Sequence, residues 1–273
     1  MTPAAPCRTI VFSHANSFPA STYRPLFRRW QEAGYTVHAI EQYGHDPRYP
    51  VTPDWPHLVE QLHDFFNHEV RQPAYLVGHS LGGYLSLMLA SRHPQWAQGL
   101  VVLDSPIVHG WRALSLHVAR ATGIIDRVMP SGVAMQRCQE WPSRSAAHQH
   151  FQSKPKFAAF HPETLSAYIE HGTVDHAPQI RRLSFDRQIE ASIYRGFPPD
   201  LVRELRRHPV QCPKAFIGGS HSSELRRVGL DATRQLFAQH LSWVEGSHLY
   251  PMESPDTTAD EVLKWLHRFQ SGH

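Results

Sequence analysis

Ser80 and His248 are the residues whose surroundings could do chemistry. The serine lies in Gly78-His79-Ser80-Leu81-Gly82, between the apolar run Tyr75-Leu76-Val77 and a helical stretch that begins at Leu81. A serine hydroxyl is a weak nucleophile at neutral pH, so it needs a base within hydrogen-bond reach and donors aimed at the oxyanion formed on attack. His248, in Glu245-Gly246-Ser247-His248-Leu249, follows the last apolar run in a small glycine-containing loop, which would project the imidazole over the end of a sheet. An imidazole base in turn needs a carboxylate that holds its tautomer and stabilises the imidazolium. Two carboxylates stand in suitable places, Asp104 at the end of Gly99 to Leu103 and Glu224 after Lys214 to Gly219. Together these residues point to acyl transfer through a serine.

Positioning them falls to alternating strands and helices. Thr9 to Ser13, Tyr35 to Ile40, Tyr75 to His79 and Gly99 to Leu103 read as strands, the first and last of them buried. Between them, Tyr23 to Ala33, Trp55 to Val70 and Leu81 to Arg92 carry helical spacing of apolar residues. Repeated strand-helix units imply a parallel sheet, because consecutive parallel strands need crossover helices, and those cover both faces. Glycine at 78 and 82 fits a turn so tight that side chains there would collide with neighbouring elements. After Ser105 the rhythm breaks, and it returns at Pro213 with a strand through Gly219, a helix from Leu225 to Gln239, a strand from Leu241 to Glu245 and a helix from Thr257 to Phe269. Residues 1–105 and 209–273 are therefore expected to form one core, with 106–208 inserted as a helical cap.

Six strands, all parallel, are expected, with the serine strand central. Met1 to Arg8 is too short to add a leading hairpin. The exposed edge expected at the first strand would suit a neighbouring subunit in an oligomer. The 273 residues and 41% hydrophobic content are enough for a full core, and the net charge of +3 is spread thinly. Arg181-Arg182 and Arg206-Arg207 are only short basic pairs, so nucleic-acid binding has little support. Cys7, Cys138 and Cys212 are too few and too far apart for a disulfide framework. Met1 to Ile10 has no apolar run of signal-peptide or membrane-span length, so a cytoplasmic location is expected.

The chain resembles the α/β-hydrolase superfamily along almost its whole length. Ser13-His14-Ala15-Asn16 resembles the oxyanion loop of that superfamily, and Tyr43-Gly44-His45-Asp46 the turn after its next strand. His14, Ala15, Asn16, Phe18 and Tyr23 match a group of capped bacterial serine hydrolases with a His-Ala-Asn oxyanion loop. The resemblance implies an α/β-hydrolase fold, a mostly parallel sheet of about six strands flanked by helices. A helical cap is inserted after the strand ending at Asp104. It also implies that the backbone N–H groups of Asn16 and Leu81 hold the oxyanion. In most relatives the acid follows the penultimate strand, but Gly219-Ser220-His221-Ser222 puts serine there. Asp104 is the favoured acid, at the alternative position that some members of the superfamily use, and Glu224 is the alternative.

The expected activity is hydrolysis of a small or medium, partly apolar ester or thioester, with no cofactor and no metal. Carbon–carbon bond hydrolysis or lactone opening would use the same residues, and a ligand-binding receptor with the same fold is the non-enzymatic alternative. Trp111, Trp141, Phe151, Phe157, Phe160, Tyr168, Phe185, Tyr194 and Phe197 give the cap aromatic surface for its own core, for a pocket, or for both. His14 and His79 read as framework histidines, and Glu253 as a support for the loop of His248. His148, His150, His171 and His176 lack the carboxylate or cysteine partners at ligand spacing that a metal site needs.

Overall fold

The computed structural model describes residues 8–272. Cys7 and the stretch Met1 to Arg8, except its last residue, lie outside the described residues. The chain runs β1 (Thr9–Ser13), α1 (Arg24–Glu32), β2 (Thr36–Ala39), α2 (Pro56–Phe65), β3 (Ala74–His79), α3 (Leu81–Arg92) and β4 (Ala97–Leu103). The inserted segment follows with α4 (Gly110–Ala121), α5 (Ile125–Val128), α6 (Ser131–Met135), β5 (Glu140–Trp141), α7 (Arg144–Gln152), α8 (Pro155–Ala158) and α9 (Pro162–His171). It continues through β6 (Thr173–Ala177), β7 (Ile180–Leu183), α10 (Arg187–Arg195) and α11 (Leu201–Arg207). The core resumes with β8 (Lys214–Gly219), α12 (Ser223–Val228), α13 (Asp231–Phe237), β9 (Leu241–Val244), α14 (Tyr250–Glu253) and α15 (Pro255–Gln270).

The main sheet has six strands in the order β2-β1-β3-β4-β8-β9, every pair parallel. Alternation along the strands divides the core. Ile10, Phe12, Tyr75, Val77, Val101 and Leu103 face one way, toward Leu26 and Trp30 of α1 and Val262, Trp265 and Leu266 of α15. Val11, Leu76, Leu100 and Val102 face the other way, toward α2 and α3. Side chains two apart share a face, so a fully apolar strand must be covered on both sides, and this one is.

Three expectations need correction. β1 is an interior strand, paired with both β2 and β3, so the sheet edges lie at β2 and β9. The single helix expected from Leu225 to Gln239 is two, α12 and α13, separated at Gly229, whose φ of +81° interrupts helical continuation. The insertion is mostly helical but also holds a three-stranded antiparallel sheet in the order β5-β7-β6. Its strands are two to five residues long, and β6 and β7 are rich in polar residues, so no apolar alternation announces them.

The cap aromatics have several distinct fates. Phe151, Phe157, Phe160 and Tyr168 pack ring against ring, with Phe151 and Phe157 centroids 4.7 Å apart, and Trp141 lies 5.2 Å from Phe151. Phe18, from the loop after β1, enters the same cluster at 5.5 Å from Tyr168 and so joins core to cap. Phe185 stands edge-on to His14 and His45, and Phe197 edge-on to Trp55 and Tyr84. Trp111 points to solvent.

Candidate active site

Ser80 sits on the turn between β3 and α3 with φ +53° and ψ −116°, a region that non-glycine residues avoid unless the surroundings enforce it. The enforcement is visible. A side chain on Gly82 would run into the carbonyl of Ser13, and one on Gly78 into the carbonyl of Gly82. β1, β3 and α3 therefore meet closer than any larger residue permits. The Ser80 N–H donates to the Leu103 carbonyl at 3.0 Å, and Ser105 Oγ donates to the Ser80 carbonyl at 2.7 Å, which ties the strained turn to the end of β4.

Asp104 repeats the device one strand over. Its φ is +48°, and its N–H donates to the Ile217 carbonyl of β8 at 2.9 Å. The side chain is completely buried and turns toward the loop after β9. His248 Nδ1 lies 2.6 Å from Asp104 Oδ2, and His248 Nε2 lies 3.0 Å from Ser80 Oγ. With a carboxylate acceptor on Nδ1, the neutral ring carries its proton there and leaves Nε2 free to accept from the serine. Asp104 is fully engaged: Gly219 N–H donates to Oδ1 at 2.7 Å and the Ser222 hydroxyl to Oδ2 at 2.6 Å.

The ring of His248 feels competing influences. Burial disfavours its charged form, but the hydrogen bond and charge of Asp104, helped by Glu224, outweigh burial and hold the imidazole above its ordinary value. Glu224 comes near without bonding to the ring. Oxygen and nitrogen atoms of Asp104, Glu224 and His248 lie within 4.8 Å of one another, and the Glu224 carboxylate accepts from Ser223 Oγ at 2.8 Å. Burial pushes the Glu224 carboxyl up, yet the neighbouring His248 and Ser223 bring it below its usual value. The three groups are also the one cluster of three metal-ligating side chains among the described residues. Its Asp104 oxygens already accept three hydrogen bonds and its Nδ1 already donates one.

Asn16 and Leu81, the residues expected to hold an oxyanion, lie beside the close approach of β1 and α3. Leu81 opens α3, so its N–H has no acceptor within the helix. Asn16 follows β1, and among the described residues no backbone acceptor engages its N–H. The Asn16 side chain is held from the cap, Nδ2 donating to the Glu190 carbonyl at 3.0 Å. Glu190 is itself buried and clamped by Arg137 at 3.0 and 2.8 Å, and Arg137 also reaches the Tyr168 hydroxyl at 2.7 Å. Sequence reasoning missed this Arg137–Glu190 support, because partners 53 positions apart, one in the loop after α6 and one on α10, carry no local signal.

The framework histidines connect the parts. His79 is buried, takes a hydrogen bond from the Tyr23 hydroxyl at Nδ1 (2.8 Å) and gives one from Nε2 to the His248 carbonyl (2.8 Å). Tyr23 in turn accepts from the Ala15 N–H at 3.2 Å, so one chain of contacts runs from the loop after β1 to the loop carrying His248. Burial, with His248 next to it, holds His79 well below the ordinary imidazole value and therefore neutral. His14 is lowered to about 4 by burial; its Nδ1 donates to the Ala15 carbonyl and its Nε2 accepts from the Tyr43 N–H. Glu253 accepts from the N–H of Ser247 at 2.9 Å and from its hydroxyl, and so braces the loop before His248. His150 packs beside Trp141 and Phe151, and His171 lies next to Glu170.

Comparison with known proteins agrees with the fold. A family model described as "Alpha/beta hydrolase family" matches residues 10–261. Among curated proteins, RutD of Pantoea ananatis (strain LMG 20103), named for carbamate hydrolysis, is 25% identical over 225 residues, 79% of this chain and 71% of its own. Among solved structures, E-2-(acetamidomethylene)succinate hydrolase superposes with a TM-score of 0.75 at 20% identity, covering 96% of this chain and 92% of that one. The thioesterase domain from the curacin biosynthetic pathway gives 0.71 at 18% identity, with the same coverage. With more than nine-tenths of the chain inside the family model and the same layers in the solved structures, this chain belongs to the alpha/beta hydrolase family.

Proposed function

We propose that the protein is a serine hydrolase acting by acyl transfer on a small or medium ester or thioester with an apolar portion. The observation that carries this reading is the continuous contact from Ser80 Oγ through His248 to Asp104 Oδ2, at 3.0 and 2.6 Å. In this scheme Ser80 Oγ attacks the substrate carbonyl as its proton passes to His248 Nε2. Asp104 stabilises the imidazolium, and the N–H groups of Asn16 and Leu81 receive the negative charge on the carbonyl oxygen. The tetrahedral intermediate collapses, His248 returns the proton to the departing alcohol or thiol, and the acyl group stays on Ser80. Water then repeats the sequence, losing a proton to His248 and releasing the acid.

The segment 106–208 acts as the cap over core residues 1–105 and 209–273. Several of its aromatic rings are used in its own packing. An apolar acyl or alcohol portion is favoured because the oxyanion loop is met from the cap by Phe185 and by Phe157, Phe160 and Tyr168 around Phe18. The named activities of the relatives, carbamate hydrolysis and thioester cleavage among them, share this acyl chemistry.

The test is hydrolysis of p-nitrophenyl esters of increasing acyl length, with fluorophosphonate labelling in parallel. Turnover and labelling that both vanish in Ser80→Ala support the reading. Absence of turnover on every ester with Ser80 still labelled would move the assignment to carbon–carbon or lactone substrates, and an unlabelled Ser80 in folded protein to a ligand-binding receptor.

A further inference from the structure

The exposed apolar side chains are concentrated in one part of the cap. Of the eight large hydrophobic residues that stand exposed among the described residues, six fall between Trp111 and Val133. Trp111, Leu114 and Val118 are spaced three and four apart on α4, so they share one face, and they are 70%, 63% and 52% exposed. The same helix buries only Leu116 and Ala119. Ile124 and Val128, at either end of α5, and Val133 on α6 continue the apolar surface over helices that pack against one another in sequence. Single exposed apolar residues need no explanation, but a run of this kind in a folded chain marks an interaction surface.

Charge around the face selects the partner. The Arg112 guanidinium lies 4.7 Å over the Trp111 ring and donates to the Arg227 carbonyl at 3.0 Å, which brings the end of α12, with Arg226 and Arg227, beside the patch. Arg127 is exposed on α5 between Ile124 and Val128. Among the described residues none of these four arginines forms an ion pair, and of the nearby acids only Asp231, exposed just after α12, is likewise outside the ion pairs, while the others are occupied. Asp54 is held by Arg120 at 3.0 Å, Asp126 by Arg195 at 2.6 Å, and Asp200 faces His117 at 3.2 Å; Glu224 faces His248. An apolar face with a tryptophan and a surplus of arginines matches the boundary between acyl chains and anionic headgroups. A second copy docking through the same face would bring two cationic surfaces together. Among the described residues no helix is long and apolar enough to cross a membrane, so such contact would be with the surface.

We propose that the α4–α6 face docks on an anionic phospholipid surface. The inference is independent of the hydrolase reading. It is tested by sedimenting the full chain with vesicles of phosphatidylcholine alone and of phosphatidylcholine mixed with phosphatidylglycerol. Binding to the mixed vesicles should exceed binding to the neutral ones by about tenfold or more and should fall as salt is added. Trp111→Ser combined with Leu114→Ser should lower it by about tenfold by removing inserted apolar surface. Arg127→Gln combined with Arg227→Gln should erase the preference for anionic vesicles. Both variants should keep the helix content of the parent and its rate on any water-soluble ester that the parent cleaves. The proposal is overturned if neither vesicle binds the protein, or if binding is the same with and without Trp111 and Leu114. It is equally overturned if sedimentation velocity finds a dimer that Trp111→Ser with Leu114→Ser dissociates, which would assign the face to a second copy.

Discussion

β4 and β8 are neighbours in the sheet and finish side by side, yet their ends bring different groups to the same histidine. The end of β4 supplies Asp104, a fully buried carboxylate on a left-handed residue, 2.6 Å from His248 Nδ1. The end of β8 supplies donors, the Gly219 N–H and the Ser222 hydroxyl, both aimed at Asp104. Glu224, a turn further on, contributes charge from a distance without a hydrogen bond to the ring. The contrast teaches that a carboxylate can act on the imidazole from either strand only if the other strand satisfies it, because a buried anion left without donors is expensive. Ser222 is then what a second carboxylate could not be. Two carboxylates meeting at 2.6 Å would repel, and one would have to take up a proton.

Removing the β4 carboxylate is the strongest way to break the comparison. Asp104→Asn should lower kcat by about 10³- to 10⁴-fold, because the ring loses its fixed tautomer and the imidazolium loses its counter-charge. Steady-state kinetics with circular dichroism as a folding control measure this, and a loss under about tenfold would reject Asp104 as the acid. Moving the carboxylate across is the sharper version. In the Asp104→Asn background, Ser222→Asp should recover about 10- to 100-fold of the lost rate, since the Ser222 Oγ already lies 2.6 Å from the oxygen that serves His248. No recovery in a folded double variant would mean that the end of β8 has lost the geometry to host an acid.

A smaller effect is expected from Ser222→Ala. Its hydroxyl also accepts from the Leu225 N–H at 3.2 Å and caps α12, so stability should fall by about 1 to 3 kcal/mol from the lost cap and the lost donor to a buried carboxylate. Activity should fall by about tenfold or less, since Gly219 still holds the other carboxylate oxygen. With one donor fewer, Asp104 attracts the imidazolium proton more strongly. The acid limb of kcat/KM, which requires neutral His248, should therefore move to higher pH. A merely structural role would lower the melting temperature and leave that limb in place.

How far these positions could be read from sequence depended on the range of the contact involved. The central strands β1, β3 and β4 carry continuous apolar runs, and the turn at Ser80 is written in five consecutive residues, so both were legible. His248 was legible through its place after the last strand. Ser222 could be recognised as a departure, but its donation to Asp104 joins positions 118 apart and exists only because β4 pairs with β8. The break at Gly229 and the strands of the cap were missed for opposite reasons. An apolar pattern continues across the glycine into α13, whereas β6, with Asp175 and His176 exposed, has almost no apolar pattern to continue.

The smallest effect belongs to Glu224, and its sign is informative. Its carboxylate raises the proton affinity of His248 through space, in addition to the larger influence of Asp104. Glu224→Gln removes that charge and leaves the hydrogen bond between His248 and Asp104 intact. The imidazole then loses its proton at lower pH, so the acid limb of kcat/KM should move to lower pH. kcat on the plateau should change by less than about threefold, because neither reacting atom loses a contact. The pH profile of Glu224→Gln measured beside that of Ser222→Ala gives opposite displacements if the two residues after β8 act as described. A plateau loss of 10³-fold or more in Glu224→Gln would instead make Glu224 the acid and Asp104 its support.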